Sequence, residues 1–310
     1  MASRPGPAPY ADPAADSADH ECRFDAPPQS IRRTMTVDST VHGSRFDGDP
    51  GTAGGMEHEE RSRSRNRWLA WAVLVAAVLE AVAPVVTISG PGASPGNGAG
   101  ADLLITPQGW AFSIWGVIYT LAIVQAVAVV WRDESAVPRR LQVDQFVLYL
   151  GAVVWIAMAG LDDSVLTALA LAVMFGAAID AVLTAARHRC PARWATVLTR
   201  TAVGLYAGWV TAAFFLNVST AAVSLDLADA STLPWQVVVL VVATLCLGAV
   251  LVLTRGVVAY AAAGVWALVG IAVTGVRDAS DAVTVTAVVG AVVVVAAALL
   301  GARRHGAAPA

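Results

Sequence analysis

The chain has 310 residues, of which 57% are hydrophobic and only 14% charged. A soluble globular domain carries about a quarter of its residues charged, so a soluble nucleic-acid binder or dehydrogenase is excluded and an integral membrane protein is expected. The net charge of −3 mixes an acidic tail with a membrane part whose charges fall almost wholly in loops, so it says little about partners.

Residues 1–66 are rich in Pro, Ala, Asp, Ser and Arg and hold no apolar run long enough to cross a bilayer. Such a segment buries too little surface to offset its ordering entropy, which predicts a disordered cytoplasmic tail. It has no apolar h-region of a secretory signal, so the first helix is expected to act as its own insertion signal. Met56 closely precedes the run RSRSRNR at 61–67, which leaves two starts open: Met1, with the whole tail translated, or Met56, with 1–55 a gene-model extension. The run reads as a topogenic stop beside the first helix or as a patch for nucleic acid or anionic lipid; the retention of basic residues in the cytoplasm favours the stop.

At ~20 residues per span plus a short loop, the remainder holds about eight helices. Spans are predicted at 68–88, 107–131, 141–160, 165–187, 195–218, 234–254, 256–275 and 282–302, followed by a tail over 305–310. Loop charge supports this count independently. The inner segments carry Arg61, Arg63, Arg65, Arg67, Arg132, Arg139, Arg140, Arg187, Arg189, Arg193, Arg255, Arg303 and Arg304, and the outer segments only Arg277, beside Asp102, Asp162, Asp163, Asp226, Asp229, Asp278 and Asp281. Both termini are therefore expected in the cytoplasm, with the protein in the cytoplasmic membrane.

Ten Trp residues divide into two sets. Trp68, Trp71, Trp131 and Trp194 fall at inner helix ends and Trp110 and Trp235 at outer ends, where amphipathic rings anchor at headgroup level. Trp115, Trp155, Trp209 and Trp266 share a layer roughly 8–14 Å below the outer surface at ~1.5 Å of rise per residue. Two stripes run through this layer: Gln108, Phe112, Trp115 and Tyr119 on the second helix, and Tyr206, Trp209, Ala213 and Asn217 on the fifth. Spacings of three and four put each set on one face. The rings then either fill helix interfaces or line a protein-walled cavity, where buried N–H and O–H groups find partners more easily than against lipid.

Glu80 lies in the same layer. An ionised carboxyl at that depth costs about 2.5 kcal/mol or more on insertion scales, so Glu80 is either a functional residue or a protonated Glu bonded between helices to Tyr119 or Tyr206. Asp180, two turns from the inner end of its helix, is expected to pair with Arg187 or reach water. Gly204 and Gly208 form a G-x-x-x-G that allows a close helix neighbour, and Pro84 is expected to kink the first helix near Glu80. Cys22, Cys190 and Cys246 make neither a disulfide framework nor a metal-ligand spacing. All five His residues (20, 42, 58, 188 and 305) lie outside the spans, so no His ligates a metal or heme within the bilayer.

The segment TPQGWAFSIWGVIY at 106–119 resembles the second helix of the TspO, or translocator protein, family of tryptophan-rich sensory proteins, which opens with Pro and Trp and carries W-x-x-x-Y. The segment YAGWVTAAFFLN at 206–217 resembles that family's fifth helix, Y-x-x-W-V-x-x-A-x-x-L-N, at the same spacing. Trp155 matches the Trp of its third helix, although Ala152 replaces the Asn of N-x-x-W and Leu205 stands where Pro is usual. The resemblance covers residues 68–218, and the last three helices are similar to longer bacterial relatives. It implies an all-α bundle with a five-helix core (67–218) and three further helices (219–304). It also implies a receptor, sensor or transporter that takes flat hydrophobic ligands such as porphyrins, with roles in tetrapyrrole handling and stress signalling. The site expected is Trp115, Tyr119, Tyr206, Trp209, Trp155 and Glu80, with Gln108 and Asn217 at its mouth. No catalytic residue, metal or obligatory cofactor is expected; a protoporphyrin-like molecule would be a ligand held by stacking. The expected partners are the lipid bilayer, that small molecule and a second copy in a homodimer, with no nucleic acid.

Two other classes compete with this reading: an intramembrane enzyme using Glu80, with Asp180, as acid or base, and a scaffold without ligand. Alkaline-phosphatase fusions after residues 95 and 225 are expected to be active and a fusion after Ala310 inactive; an active C-terminal fusion would show an odd number of crossings.

Overall fold

The computed structural model describes residues 50–88, 103–132, 135–161 and 163–306, with side chains between 67 and 303. The tail through residue 49, Asp102, Asp162 and the side chains of Arg61, Arg63, Arg65 and Arg304 lie outside these. The described chain is a bundle of eight helices, each long and apolar enough to cross a membrane. They are α1 (Pro50–Ile88), α2 (Ile114–Trp131, entered through a 3-10 turn at Gly109–Ser113), α3 (Arg139–Gly160), α4 (Ser164–Arg187), α5 (Arg193–Ser224), α6 (Leu233–Leu253), α7 (Val258–Arg277) and α8 (Asp281–Gly306).

The helix bounds reflect local chemistry. Asp163 caps α4 by accepting the N–H groups of Val165 at 3.0 Å and Leu166 at 2.9 Å, which satisfies two of the donors a helix start leaves free. Pro234 occupies the first turn of α6, where no N–H is required. The C-termini of α5, α6 and α7 share one motif: Leu227, Gly256 and Ser280 donate to Ala222, Leu251 and Gly275, closing the last turn. The residues held left-handed there are Asp226, Arg255 and Ala279, with φ of 56°, 57° and 51°. Each takes a conformation that L residues other than Gly seldom adopt.

Two bounds differ from expectation. The backbone is already helical from Pro50, so residue 66 is not a break; once the apolar segment has nucleated a helix, propagation into polar sequence is far less costly than a fresh start. The second span begins as a 3-10 turn, so regular α geometry starts only at Ile114.

Short connections make successive helices antiparallel, and the charges separate accordingly. Arg67, Arg132, Arg139, Arg140, Arg187, Arg189, Arg193, Arg255 and Arg303 mark one end of the bundle, and Asp163, Asp226, Asp229, Asp278 and Asp281 the other. At the centre α5 packs against α2, α4, α6 and α7. Its two glycines are the reason α7 comes so close. A Cβ on Gly204 would lie 2.9 Å from Val257 Cγ1, and one on Gly208 would collide with the Tyr260 carbonyl oxygen and sit 2.9 Å from Ala263 Cβ. Thr211 and Tyr260 share a hydrogen bond of 2.9 Å across the same seam.

Because the atom opposing Gly208 is backbone, Gly208→Ala is expected to separate α5 from α7 and destabilise the bundle by about 1–3 kcal/mol, as overpacking does. Gly248, where an added Cβ meets nothing within 4 Å, is the control: thermal unfolding in detergent is expected to show Gly248→Ala unchanged and Gly208→Ala lowered.

Candidate functional site

The site forms where the start of α2 is pinned by helices far along the chain. The Leu104 N–H donates to Gln236 Oε1 at 2.8 Å, and the Gln108 N–H to the Gly270 carbonyl at 3.2 Å. Thr274 donates to the Thr106 carbonyl at 2.7 Å, and the Trp266 indole to the Ala111 carbonyl at 2.8 Å. Gly270 permits the approach, since a Cβ there would lie 2.9 Å from Ala111 Cβ and 3.0 Å from Pro107 Cβ. Four backbone groups of the segment 103–113 thus find partners on α6 and α7, where the hydrocarbon layer has no water to supply them.

Trp115, on the first turn of α2, is the hub of an aromatic cluster. Its ring stacks on Tyr119, with centroids 5.3 Å apart and planes at 23°, and lies tilted against Trp155 of α3 at 5.7 Å. It meets Tyr206 and Trp209 of α5 edge-on at 5.9 and 6.1 Å. Phe112 closes the set, edge to face with Trp209 at 5.6 Å. Such offset and edge contacts place positive ring edges on negative faces. Beside the cluster is a narrow recess of about 20 Å³, room for one water-sized group. Phe112, Trp115, Trp155, Trp209, Leu216 and Asn217 are among its walls. The indole N–H groups of Trp115 and Trp209 are buried there without a hydrogen-bond partner, whereas Trp155 donates to Asn217 Oδ1 at 3.3 Å.

Below the rings is a polar core. Glu80 is fully buried and accepts the Tyr206 hydroxyl on Oε2 at 2.6 Å, while its Oε1 has no partner. Of the two candidate phenols, the partner is therefore Tyr206. Pro84 lies four residues further along α1 and removes the amide that would have bonded the Glu80 carbonyl. Tyr149 of α3 lies 5.5 Å from the Tyr206 ring and accepts from Gln145 at 3.1 Å, which also reaches Gln125 of α2 at 2.8 Å.

Of the residues singled out from sequence, Trp115, Tyr119, Trp155, Tyr206 and Trp209 lie in one cluster, with Glu80 bonded beneath it and Asn217 on the recess wall. Gln108 is elsewhere. It precedes the 3-10 turn with φ −54° and ψ 146°, and its side-chain amide turns to Thr274 of α7 at 3.2 Å. The four-residue step from Gln108 to Phe112 is not one helical turn, and Gln108 is not among the recess walls that include Pro107 and Asn217. Trp266 stands outside the Trp115 cluster and packs edge-on against Trp110 at 5.0 Å. Asp180 pairs with Arg140 through both guanidinium branches, one at 2.7 Å, so Arg187 is not its hydrogen-bonded partner. Tyr149, Gln145 and Gln125 escape the sequence reading, although Gln142, Gln145, Tyr149, Ala152 and Trp155 succeed one another at helical spacing on the buried face of α3. Among the described residues no three His, Cys, Asp or Glu side chains gather as a metal site.

The family model for TSPO-like proteins matches residues 66–300. The chain belongs to the TSPO-like family. No curated protein and no solved structure gives a significant match. The TSPO-like match runs from the start of the first span nearly to the end of α8, so the three helices beyond the five-helix core belong to the same family unit.

Glu80→Gln keeps the acceptor and the volume, and is expected to leave thermal stability in detergent nearly unchanged. Glu80→Ala leaves a cavity and orphans the Tyr206 hydroxyl, and Tyr206→Phe orphans the second carboxyl oxygen, each at a cost of about 1–3 kcal/mol. Equal stability of all three variants would show that the Glu80–Tyr206 bond carries no weight.

Proposed function

We propose that this TSPO-like bundle binds a flat hydrophobic ligand, a porphyrin such as protoporphyrin, at the Trp115 cluster, and works as a receptor or transporter in tetrapyrrole handling. The observation that carries this reading is a pair of buried, unpartnered indole N–H groups, Trp115 and Trp209, beside a recess walled by aromatic rings. Packed interiors satisfy nearly all such donors, so orphans at a cavity call for an acceptor from outside. A macrocycle offers both a π face for the rings and acceptor groups for the two N–H donors. The enclosed space of the recess, about 20 Å³, is far below the ~300–1,000 Å³ of small-molecule sites. Binding therefore requires the rings around it to part and admit one edge of the macrocycle, with the remainder towards the opening. With the arginine-rich end in the cytoplasm, as retention of basic loops favours, that opening faces the outer side of the cytoplasmic membrane and both termini lie inside.

Titration of the detergent-solubilised chain with protoporphyrin is expected to quench Trp fluorescence saturably. Trp115→Leu and Trp209→Leu are each expected to weaken that binding by ~1 kcal/mol or more, the worth of one stacking partner. Trp68→Leu, an exposed ring where the apolar part of α1 begins, is expected to change nothing. Equal affinities for the three variants would mean that quenching reports porphyrin dissolved in detergent, and the packing interpretation of the rings would replace this one.

A further inference from the structure

At the Arg-rich end, far from the aromatic cluster, a second and larger recess opens with a volume of about 440 Å³. Four arginines from separate stretches of chain line it: Arg187 at the end of α4, Arg189 in the following loop, Arg200 on α5 and Arg255 in the turn after α6. No Asp or Glu is among its lining residues.

The arginines do different things. Arg200 is committed to the fold. Its guanidinium donates to the carbonyls of Ala185 at 3.1 Å, Ala186 at 2.8 Å and His188 at 3.1 Å, closing the end of α4. Arg187 feels the charge of Asp180, which Arg140 already chelates. Arg189 instead faces a like charge in Arg200. Arg255 is held at the left-handed position of the α6 C-terminus, where glycine is usual, with φ 57°. The turn that carries it is clamped to α8. A Cβ on Gly256 would strike the Ala298 carbonyl and lie 3.0 Å from the Ala302 nitrogen, and one on Gly301 would lie 2.6 Å from the Gly256 nitrogen. An arginine kept in a strained, immobile turn over a recess already crowded with positive charge is an arrangement completed by an anion.

We propose that this recess binds a phosphate group, and that its bearer is an anionic phospholipid of the leaflet at the Arg-rich end. Guanidinium forks match phosphate oxygens in pairs, and Arg189 and Arg255 supply them from two separate stretches of chain that line the same recess. A lipid is chosen over a free anion because the recess opens where α4 and α6 end, at headgroup level. Its wall continues along α6 over Leu253 and Val252, each 60% exposed, which is a surface for acyl chains. Basic pockets between helix ends hold lipid headgroups in this manner.

The test uses the full chain in a zwitterionic detergent, titrated with phosphatidylglycerol, phosphatidylcholine or inorganic phosphate and read by native mass spectrometry. Phosphatidylglycerol is expected to add in a saturable one-to-one step, phosphatidylcholine not to add, and phosphate to compete only in large excess. The double variant Arg189→Gln/Arg255→Gln is expected to lose roughly tenfold in phosphatidylglycerol affinity. Arg139→Gln/Arg303→Gln, at the same end but outside the recess, is expected to lose less than about twofold. Equal losses in the two doubles would show diffuse surface charge and overturn the site. Phosphate alone binding as tightly as phosphatidylglycerol would overturn the lipid assignment. Phenylglyoxal labelling of the unaltered chain tests the same point without a variant: phosphatidylglycerol is expected to protect Arg189 and Arg255 and to leave Arg139 reactive, and absence of that protection overturns the proposal.

Discussion

The close approach of α5 and α7 at Gly204 and Gly208 is the constraint on which the rest of the bundle depends. In a bilayer, lipid tails are as apolar as the helix surfaces they touch, so helices associate through dispersion contacts and shared hydrogen bonds rather than by fleeing water. Two missing side chains on α5 let the α7 backbone come near enough for both, with Thr211 and Tyr260 bonded across the seam. From there the influence passes along α7. One and a half turns beyond Tyr260, Trp266 bonds the carbonyl of Ala111; Gly270 then accepts the amide of Gln108, and Thr274 bonds Thr106. The same helix that α5 grips therefore holds the entry of α2, and with it Phe112 and Trp115. Helices that look like an appendix to a five-helix core are the buttress of its aromatic cluster.

Hydrogen bonding separates framework from site within the buried polar set. Ser219, Thr244 and Thr254 each return their hydroxyl to a carbonyl four residues earlier on their own helix, which disposes of the group locally. Gln236 and Thr274 use their polar atoms to complete the 103–108 backbone. Trp115, Trp209 and one oxygen of Glu80 find no such use. These three lie within one cluster linked by Tyr206. An unpaired polar atom in hydrocarbon costs several kcal/mol if nothing meets it; Gln125, Gln142, Asp144 and Ser280 also bury such an atom, but of all these residues only Trp115 and Trp209 also line the recess.

Legibility in the sequence tracks the range of the interaction involved. Eight spans and the separation of charge between their ends are readable because length, hydropathy and loop arginines are local properties, and the helices of the structure fall on the predicted runs. Trp115 with Tyr119 and Tyr206 with Trp209 are readable as stripes because helical spacing is local too. Which neighbour each stripe meets is not. Gln108 is misplaced by its spacing because the 3-10 turn that redirects it is imposed by Gly270 and Thr274, more than 160 residues away. Tyr149 is overlooked although it continues the Gln142–Trp155 face of α3 at helical spacing, because that spacing does not say what the face meets; its contacts with Tyr206 and Gln145 mark it.

The bond between Glu80 and Tyr206 spans 126 residues of sequence, and this separation bears on how the protein is made. At ~5–20 residues per second of synthesis, α1 leaves the ribosome about 6–25 s before the tyrosine that completes its carboxyl. During that interval the first helix holds an acidic group with no native partner inside the membrane. Insertion of α1 is therefore tied to neutralising that group or sheltering it beside the insertion machinery until α5 arrives. Newly made chains stalled before residue 206 should be the form that quality-control proteases recognise.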